Sequence, residues 1–488
     1  MAKVVFIHNV REHLGLEYLS SILKKAGHNV YLVYDPGLFS YNDNAFYSPF
    51  LEKIFDKTDK IVKEVLEINP DIVGFSVYTS NYSWAKKISS LIKNNIDAKI
   101  VFGGIHPTFF PEKVLQDADI DFIIRGEGEE ALLELVENLN NKKVYSCIKN
   151  LCYREGKDII VNELRPLINN LDSLPFPDKE LFSGYVDYFS YIILTQRGCV
   201  FNCSFCCEAP LRKLYNKEKC FRKRSVNSVI EELSYMLNKY RYKEVIFFDS
   251  DFLIDKPWVK RFLPVYKKAI HKPFKFMCRV SNFDEEMAVL VKNSGCYNIN
   301  FGIQSWNEHV RRELLNREET DEEIKRALNL CEKYGLNYDI DLIFDIPGDS
   351  REDYLKSLDY LCGRRLLNRV KCFKLAYFPM AELTRKFYAQ GLISIEDIRK
   401  IEEGRFADTI HNSLNLSRLF YRDIEVFYKI LPLLPFSLRK WMLQANRYMI
   451  LRFVPSFLVY LLQGLSAFKK KDWRFLVYLR NFLKRVFK

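Results

Sequence analysis

The chain has 488 residues, 74 Lys and Arg against 62 Asp and Glu, a net charge of +12 and 12 cysteines. That length predicts two or three domains with substantial cores, and the scattered cysteines, none before Cys147, exclude a small disulfide-stapled scaffold. The first strand pattern begins almost at Met1 and leaves no signal peptide, so a cytoplasmic location is expected.

Lys3–His8 has a buried-strand pattern, Gly15–Ala26 reads as a helix and Asn29–Tyr34 as a second strand. Ile72–Val77, Lys99–Phe102 and Phe122–Arg125 follow, separated by helical stretches. This alternation predicts an α/β domain over residues 1–144, a doubly wound Rossmann-like parallel sheet. Ligands of such a sheet lie beyond the carboxyl ends of its strands. The segments there are His8–Gly15, Ser76–Ser80, Gly103-Gly104-Ile105-His106-Pro107 and Arg125-Gly126-Glu127-Gly128-Glu129. Glycine at such turns lets the backbone approach a ligand closely.

Residues 145–190 read as a linker. Tyr145–Leu181 has no sustained period, and Leu174-Pro175-Phe176-Pro177-Asp178 within it predicts an extended connector. Arg197-Gly198-Cys199-Val200-Phe201-Asn202-Cys203-Ser204-Phe205-Cys206 then sets three cysteines at C-x3-C-x2-C spacing. Three thiolates this close can hold three corners of one [4Fe–4S] cluster, leaving the fourth iron open to a substrate-like molecule. The alternatives are a zinc site, which usually splits its ligands into two pairs, and core cysteines, which show no preferred spacing. Cys207 reads as packing, and the remaining cysteines lack the clustering of a second centre.

A strand–helix alternation follows at Tyr191–Thr195, Glu244–Asp249, Phe274–Val280, Tyr297–Gly302, Asn337–Phe344 and Lys371–Tyr377. Six parallel β/α units predict a partial (β/α)6 barrel over residues 191–400. The cysteine loop sits after its first strand, where ligands of such barrels bind.

The cysteine spacing, with aromatic Phe205 before the last cysteine, resembles the radical S-adenosylmethionine (AdoMet, SAM) enzymes. In that family AdoMet chelates the open iron, and the reduced cluster, fed by an external reductant of the flavodoxin or ferredoxin type, cleaves it to a 5′-deoxyadenosyl radical. The resemblance assigns Asp249 and Asp251 to the AdoMet amino group, at a place where many members carry Gly-Gly-Glu. It assigns Arg279 to the carboxylate, Gln304 and Ser305 to the ribose, and the Ile346-Pro347-Gly348-Asp349 loop, with Pro347 and Gly348, to the adenine.

The amino-terminal series Leu14-Gly15-Leu16-Glu17-Tyr18-Leu19, Ser76-Val77-Tyr78, Gly103-Gly104 and Gly126-Glu127-Gly128-Glu129 is similar to the cobalamin-binding domain fused to many radical AdoMet enzymes. It implies cobalamin contacts at Gly15, Ser76, Tyr78, Gly103, Gly104, His106, Glu127 and Gly128. The Asp-x-His-x-x-Gly motif of mutase-type domains is absent. A cobalt without a protein histidine is therefore expected, with His13 and His106 the candidates for the opposite case.

Residues 401–488 read as a helical, basic-aromatic region. From Arg418 onward 15 Lys and Arg face only Asp423, Glu425 and Asp472, an excess equal to the whole net charge. The apolar runs Ile430–Phe436 and Phe453–Leu462, Lys469-Lys470-Lys471 and the amphipathic stretch Trp473–Lys488 suit an anionic membrane surface on its inner face. A helical cap over the barrel and an RNA contact are the other readings. A spanning helix needs about 20 apolar residues, and Phe453–Phe468 is broken by Pro455, Gln463 and Gly464.

Together these features predict a cobalamin-dependent radical AdoMet enzyme that methylates an unactivated carbon of a small-molecule or lipid substrate. Its expected cofactors are one [4Fe–4S] cluster, AdoMet and cobalamin. Ring closure, rearrangement or carbon–carbon coupling on the same cofactors is the alternative. A tRNA-modifying methylthiotransferase would need a second cysteine set in its first domain, and residues 1–146 have none, so nucleic acid is not the expected partner.

Overall fold

The computed structural model describes residues 1–9, 11–40, 48–215, 220–405, 421–469, 477 and 480–484. Strands β1 (Lys3–Asn9), β2 (Asn29–Asp35), β3 (Ile72–Ser76), β4 (Lys99–Gly103) and β5 (Phe122–Ile124) form a parallel sheet in the order β2-β1-β3-β4-β5. Val4, Val5, Ile7, Ile72 and Val73 are fully buried because helices cover both faces. The order reverses between β1 and β3. That switch point puts the Gly15 and Ser76 turns side by side, where α/β sheets bind ligands.

The connector reading needs a correction. Two further strands extend the same sheet, β6 (Leu151–Glu155) antiparallel to β5 and β7 (Asp158–Val161) antiparallel to β6. Gly156, at φ 63°, makes the turn between them. Leu151, Cys152 and Tyr153 are all buried, so this short strand is an unbroken apolar triplet with no alternation to read. The proline-bearing stretch beyond it contains only two short helical turns, Leu171–Ser173 and Lys179–Phe182.

The second sheet holds β8 (Ser190–Ile193), β11 (Glu244–Phe247), β12 (Phe274–Cys278), β13 (Cys296–Gln304), β14 (Asn337–Phe344) and β15 (Leu367–Lys374), all parallel and in sequential order. A two-stranded ribbon, β9 (Gln196–Arg197) with β10 (Arg222–Lys223), stands apart from both sheets. Sequential parallel order with helices on one side is an open barrel. Its outer residues, such as Phe247, Phe276, Phe301 and Ile340, pack under the helices. On the concave face Lys371 instead donates to Asn300, which donates to Asp341 at 2.7 Å.

Helix Arg422–Ile430 closes the β15 edge. Its Ile424, Phe427 and Tyr428 join the barrel core, and the Tyr428 hydroxyl donates to the Tyr354 carbonyl at 2.9 Å. Buried Asp423 pairs with Arg351. The described part of the basic region is thus a cap on the barrel, yet Trp441, Ile450, Phe453 and Leu465 remain exposed. Lys470, Lys471 and most of Trp473–Lys488 lie outside the described residues. Among the described residues no helix is long and apolar enough to cross a membrane.

Candidate active site between the sheet and the barrel

The three cysteines lie on the loop that leaves β9. Gly198 starts this loop at φ 80°, where a Cβ would stand 2.1 Å from the Cys220 carbonyl oxygen, so only glycine fits. Neighbouring elements pin the loop from above. The Ser204 N–H donates to the Leu315 carbonyl at 3.1 Å, and the Ser204 carbonyl accepts from the Leu383 N–H at 2.9 Å. Phe205 packs against the apolar cluster that includes Ile343, Ile346 and Leu375.

All three thiols are raised, Cys199 to about 11 and Cys203 by burial, and Cys206 by its hydrogen bond with Cys207 and then by burial, so bound iron would be what holds them as thiolates. The guanidiniums of Arg279 and Arg317 oppose this at Cys203, each with an Nη1 3.9 Å from its Sγ. Three soft thiolates on one loop fit three corners of a cluster.

The residues assigned to AdoMet differ in how far hydrogen bonds within the protein occupy them. Asp249 is fully buried and accepts from the Thr195 N–H at 2.8 Å, the Thr195 hydroxyl at 2.7 Å and the Gln196 N–H at 3.2 Å. Asp251 accepts from the N–H groups of Leu253 and Arg279, both at 3.0 Å, and from Asn282 Nδ2 at 2.7 Å. Each carboxylate thus accepts three hydrogen bonds from the protein. Asp249 lies just beyond β11 and turns toward Thr195 and Gln196, and it is Ser250, between Asp249 and Asp251, that lines the central cavity.

Ser305 is likewise spent, donating to Asp349 at 2.7 Å and accepting from the Asn307 N–H at 3.0 Å. Gln304 is half-buried at the carboxyl end of β13. It sits at φ 73°, with its side-chain nitrogen 2.7 Å from where a Cβ on Gly302 would stand. Arg279 forks onto Glu319 and stacks 3.9 Å over Phe201. Arg317, which sequence reasoning missed, shares Glu319 at 2.8 Å and stands beside Cys203 as Arg279 does. It lies between a short helical segment and the Thr320 cap, with no periodicity to mark it. Pro347 and exposed Gly348, at φ 96°, form the turn after β14, and Ile346 there touches the Phe205 cluster.

A cavity of about 430 Å3 opens between the carboxyl ends of the first sheet and the start of the barrel. Gly15, Ser76, Gly103, Gly104, Glu127 and Gly128 line its sheet side, and Arg197, Gly198, Tyr215 and Ser250 its barrel side. Gly104 has φ 99°, and a Cβ there would stand 2.8 Å from the Val77 backbone. A Cβ on Gly126 would overlap the Tyr215 hydroxyl. A glycine cradle this smooth suits a broad planar ligand such as a corrinoid.

The residues expected to contact cobalamin differ in their access to this cavity. His106 is fully buried away from the cavity, 4.4 Å from the Tyr82 ring and 3.2 Å from the Thr79 hydroxyl, and burial pushes its imidazole down to about 4. The Tyr78 hydroxyl is 3.0 Å from His13 Nε2 and does not line the cavity. His13 does line it, but its Nδ1 caps the helix at the Leu16 N–H, 3.1 Å away, and its Nε2 meets both Tyr78 and Ser76. Among the described residues no uncommitted histidine nitrogen faces the cavity. Glu127 is a wall residue whose carboxylate is held below its usual range by hydrogen bonds and charge from Arg222 and Arg197.

The B12 binding domain model matches residues 6–136, and the radical SAM superfamily model matches residues 193–361. The "Uncharacterized methyltransferase PH0819" of Pyrococcus horikoshii is 31% identical over 349 residues, 70% of this chain and 71% of that protein. The cytidylyl-2-hydroxyethylphosphonate methyltransferase of Streptomyces wedmorensis is 27% identical over 462 residues, 80% of this chain and 83% of that one. In fold, the cobalamin-dependent AdoMet radical enzyme OxsB with aqua-cobalamin and AdoMet bound superimposes with a TM-score of 0.68 at 17% identity, covering 100% of this chain and 80% of that one. A [4Fe–4S] cluster, AdoMet and cobalamin are the cofactors of this pair of domains, and the cysteine loop and glycine cradle fit them. The chain belongs to the radical S-adenosylmethionine enzymes that carry a cobalamin-binding domain.

Proposed function

We propose that this enzyme methylates an unactivated carbon of a small-molecule or lipid substrate. The observation that carries the reading is the shared wall: Arg197 and Gly198 line the corrinoid cavity and lead directly into Cys199. When bound, the cluster with AdoMet supplies a 5′-deoxyadenosyl radical and the corrinoid a transferable methyl group. Both must act on one substrate carbon, which requires the two sites to open on one space. Arg279 and Arg317 hold positive charge beside Cys203, where an AdoMet carboxylate would sit. Gln304 ends β13, and Phe205, packed on the cluster that holds Ile346, offers an apolar surface for adenine. An external one-electron reductant completes the set of partners.

The names of the Pyrococcus and Streptomyces relatives support methyl transfer. Protein loaded with cluster and cobalamin, supplied with methyl-labelled AdoMet, reductant and fractionated lipid and polar extracts, is expected to pass label to a carbon product. Formation of 5′-deoxyadenosine with modified but unlabelled substrate would favour the non-methylating alternative.

The exposed side chains of the cap support a second reading, a peripheral place on an anionic membrane. Phe453 is 79%, Leu465 68% and Ile450 67% exposed, and no acidic residue occurs between Glu425 and Asp472. Arg447 stacks on Trp441 at 4.5 Å, the amphipathic pairing that suits a headgroup layer.

A further inference from the structure

We propose that Glu127, Glu129, Arg197 and Arg222 form a latch that fixes the cysteine loop at a set position relative to the corrinoid, making them positioning residues rather than cofactor ligands. The proposal rests on the assignment of both cofactors to this chain and is independent of methyl transfer.

The carboxylates come from the loop after β5 in the first domain, and the guanidiniums from the β9/β10 ribbon at the start of the second. Arg197 and Arg222 are direct partners in the ribbon's antiparallel pairing, an arrangement of like charges that repels on its own. The two carboxylates reach across and neutralise it. Arg197 spends both terminal nitrogens, on Glu127 at 2.9 Å and on Glu129 at 2.5 Å. Arg222 takes the second Glu127 oxygen at 2.9 Å and the Ile168 carbonyl at 2.9 Å, while the Ile168 N–H donates to that same oxygen at 2.8 Å. These side chains are only 7 to 19% exposed, so solvent ions screen the network weakly.

Location gives the network its role. Arg197 is separated from Cys199 only by Gly198, while Gly126 and Gly128, which flank Glu127, line the corrinoid cavity. All four charged residues line that cavity too. A displacement of the cavity wall is therefore passed to the cysteine loop through two carboxylates and one guanidinium, with no flexible segment between. The domains also meet elsewhere, at Lys113 and Glu402, 2.9 Å apart, in a pair that lines no part of the cavity. Generic adhesion between domains would be served equally by either place.

The test uses full-length protein with reconstituted cluster and bound cobalamin, reduced so that cluster and cobalt are both paramagnetic. Pulsed electron paramagnetic resonance then reads the distribution of distances between the two spins. Wild type and the control E402Q are expected to give one narrow distribution. E129Q and the charge-balanced pair E127Q/R222Q should broaden it roughly twofold or more, since a held constellation loses its definition when its supports go, with iron and corrinoid content unchanged. An unchanged distribution in E127Q/R222Q overturns the proposal, as does equal broadening in E402Q. If both latch variants fail to fold or to take up a cluster, the network is a folding determinant and the positioning role is overturned. Wild type that takes up no corrinoid would fail the cofactor assignment itself, a result distinct from the others.

Discussion

Replacing Asp249 separates two roles that one carboxylate could play. In the structure it accepts three hydrogen bonds from Thr195 and Gln196 and ties the first barrel strand to the second. D249A orphans two buried N–H groups, since the Thr195 hydroxyl can rotate. At about 1–3 kcal/mol for each orphaned group, the loss is about 4 kcal/mol. D249N keeps an oxygen for both N–H groups and presents an NH2 to the hydroxyl, so it should cost only about 1 kcal/mol. The assay pairs anaerobic guanidinium melts with AdoMet titration of the cluster-loaded protein. D249N is expected to bind AdoMet within a factor of about three of wild type, because no charge is lost from the AdoMet site. A D249N protein with a wild-type melt and an intact cluster but more than about tenfold weaker AdoMet binding, the effect of removing a charge-assisted contact, would refute the reasoning.

At Gly103 a Cβ would have room, its nearest neighbour being 3.7 Å away, so G103L should leave the fold and the cluster iron intact while blocking the cavity. Hydroxocobalamin retention through desalting should then fall at least about tenfold. His106 is neutral in the fold, its pKa lowered by burial to about 4 against 6.5 for the free group. The unfolded chain takes up the proton first as pH falls, so its contribution to stability is present above about 6.5 and lost toward 4. Between pH 7 and 5 this one group should cost the wild type about 2 kcal/mol that H106Q does not lose, read from denaturant midpoints. The triple variant W441A/I450A/F453A removes exposed apolar area from the cap. It should bind anionic vesicles about tenfold less or weaker still in co-sedimentation, with AdoMet cleavage unchanged; vesicle binding equal to wild type would remove the membrane reading.

Strand ends were legible in the sequence because the long apolar runs of both sheets are buried under helices, and the cysteine spacing stands on one loop where it can be read directly. Side-chain direction was less legible. Asp249 and Ser305 sit in the motif positions that the resemblance names, yet the turns after β11 and β13 aim them at Thr195 and at Asp349. His106 follows the Gly103-Gly104 turn as expected, but packing on Tyr82 draws its ring behind the strand. Glu127 and Arg197 are 70 residues apart and reveal their pairing only once two domains are docked. Arg317 belongs to no repeat, and what marks it is its distance to Cys203.

The most direct test of the account is AdoMet cleavage by anaerobically reconstituted protein, comparing wild type with the C199A/C203A/C206A triple variant and reading 5′-deoxyadenosine by mass spectrometry. Wild type is expected to hold about four irons per chain and to form 5′-deoxyadenosine only with reductant, and the triple variant neither to hold the cluster nor to form product. A triple variant that still cleaves AdoMet, or a wild type with a full cluster that never does, would contradict it.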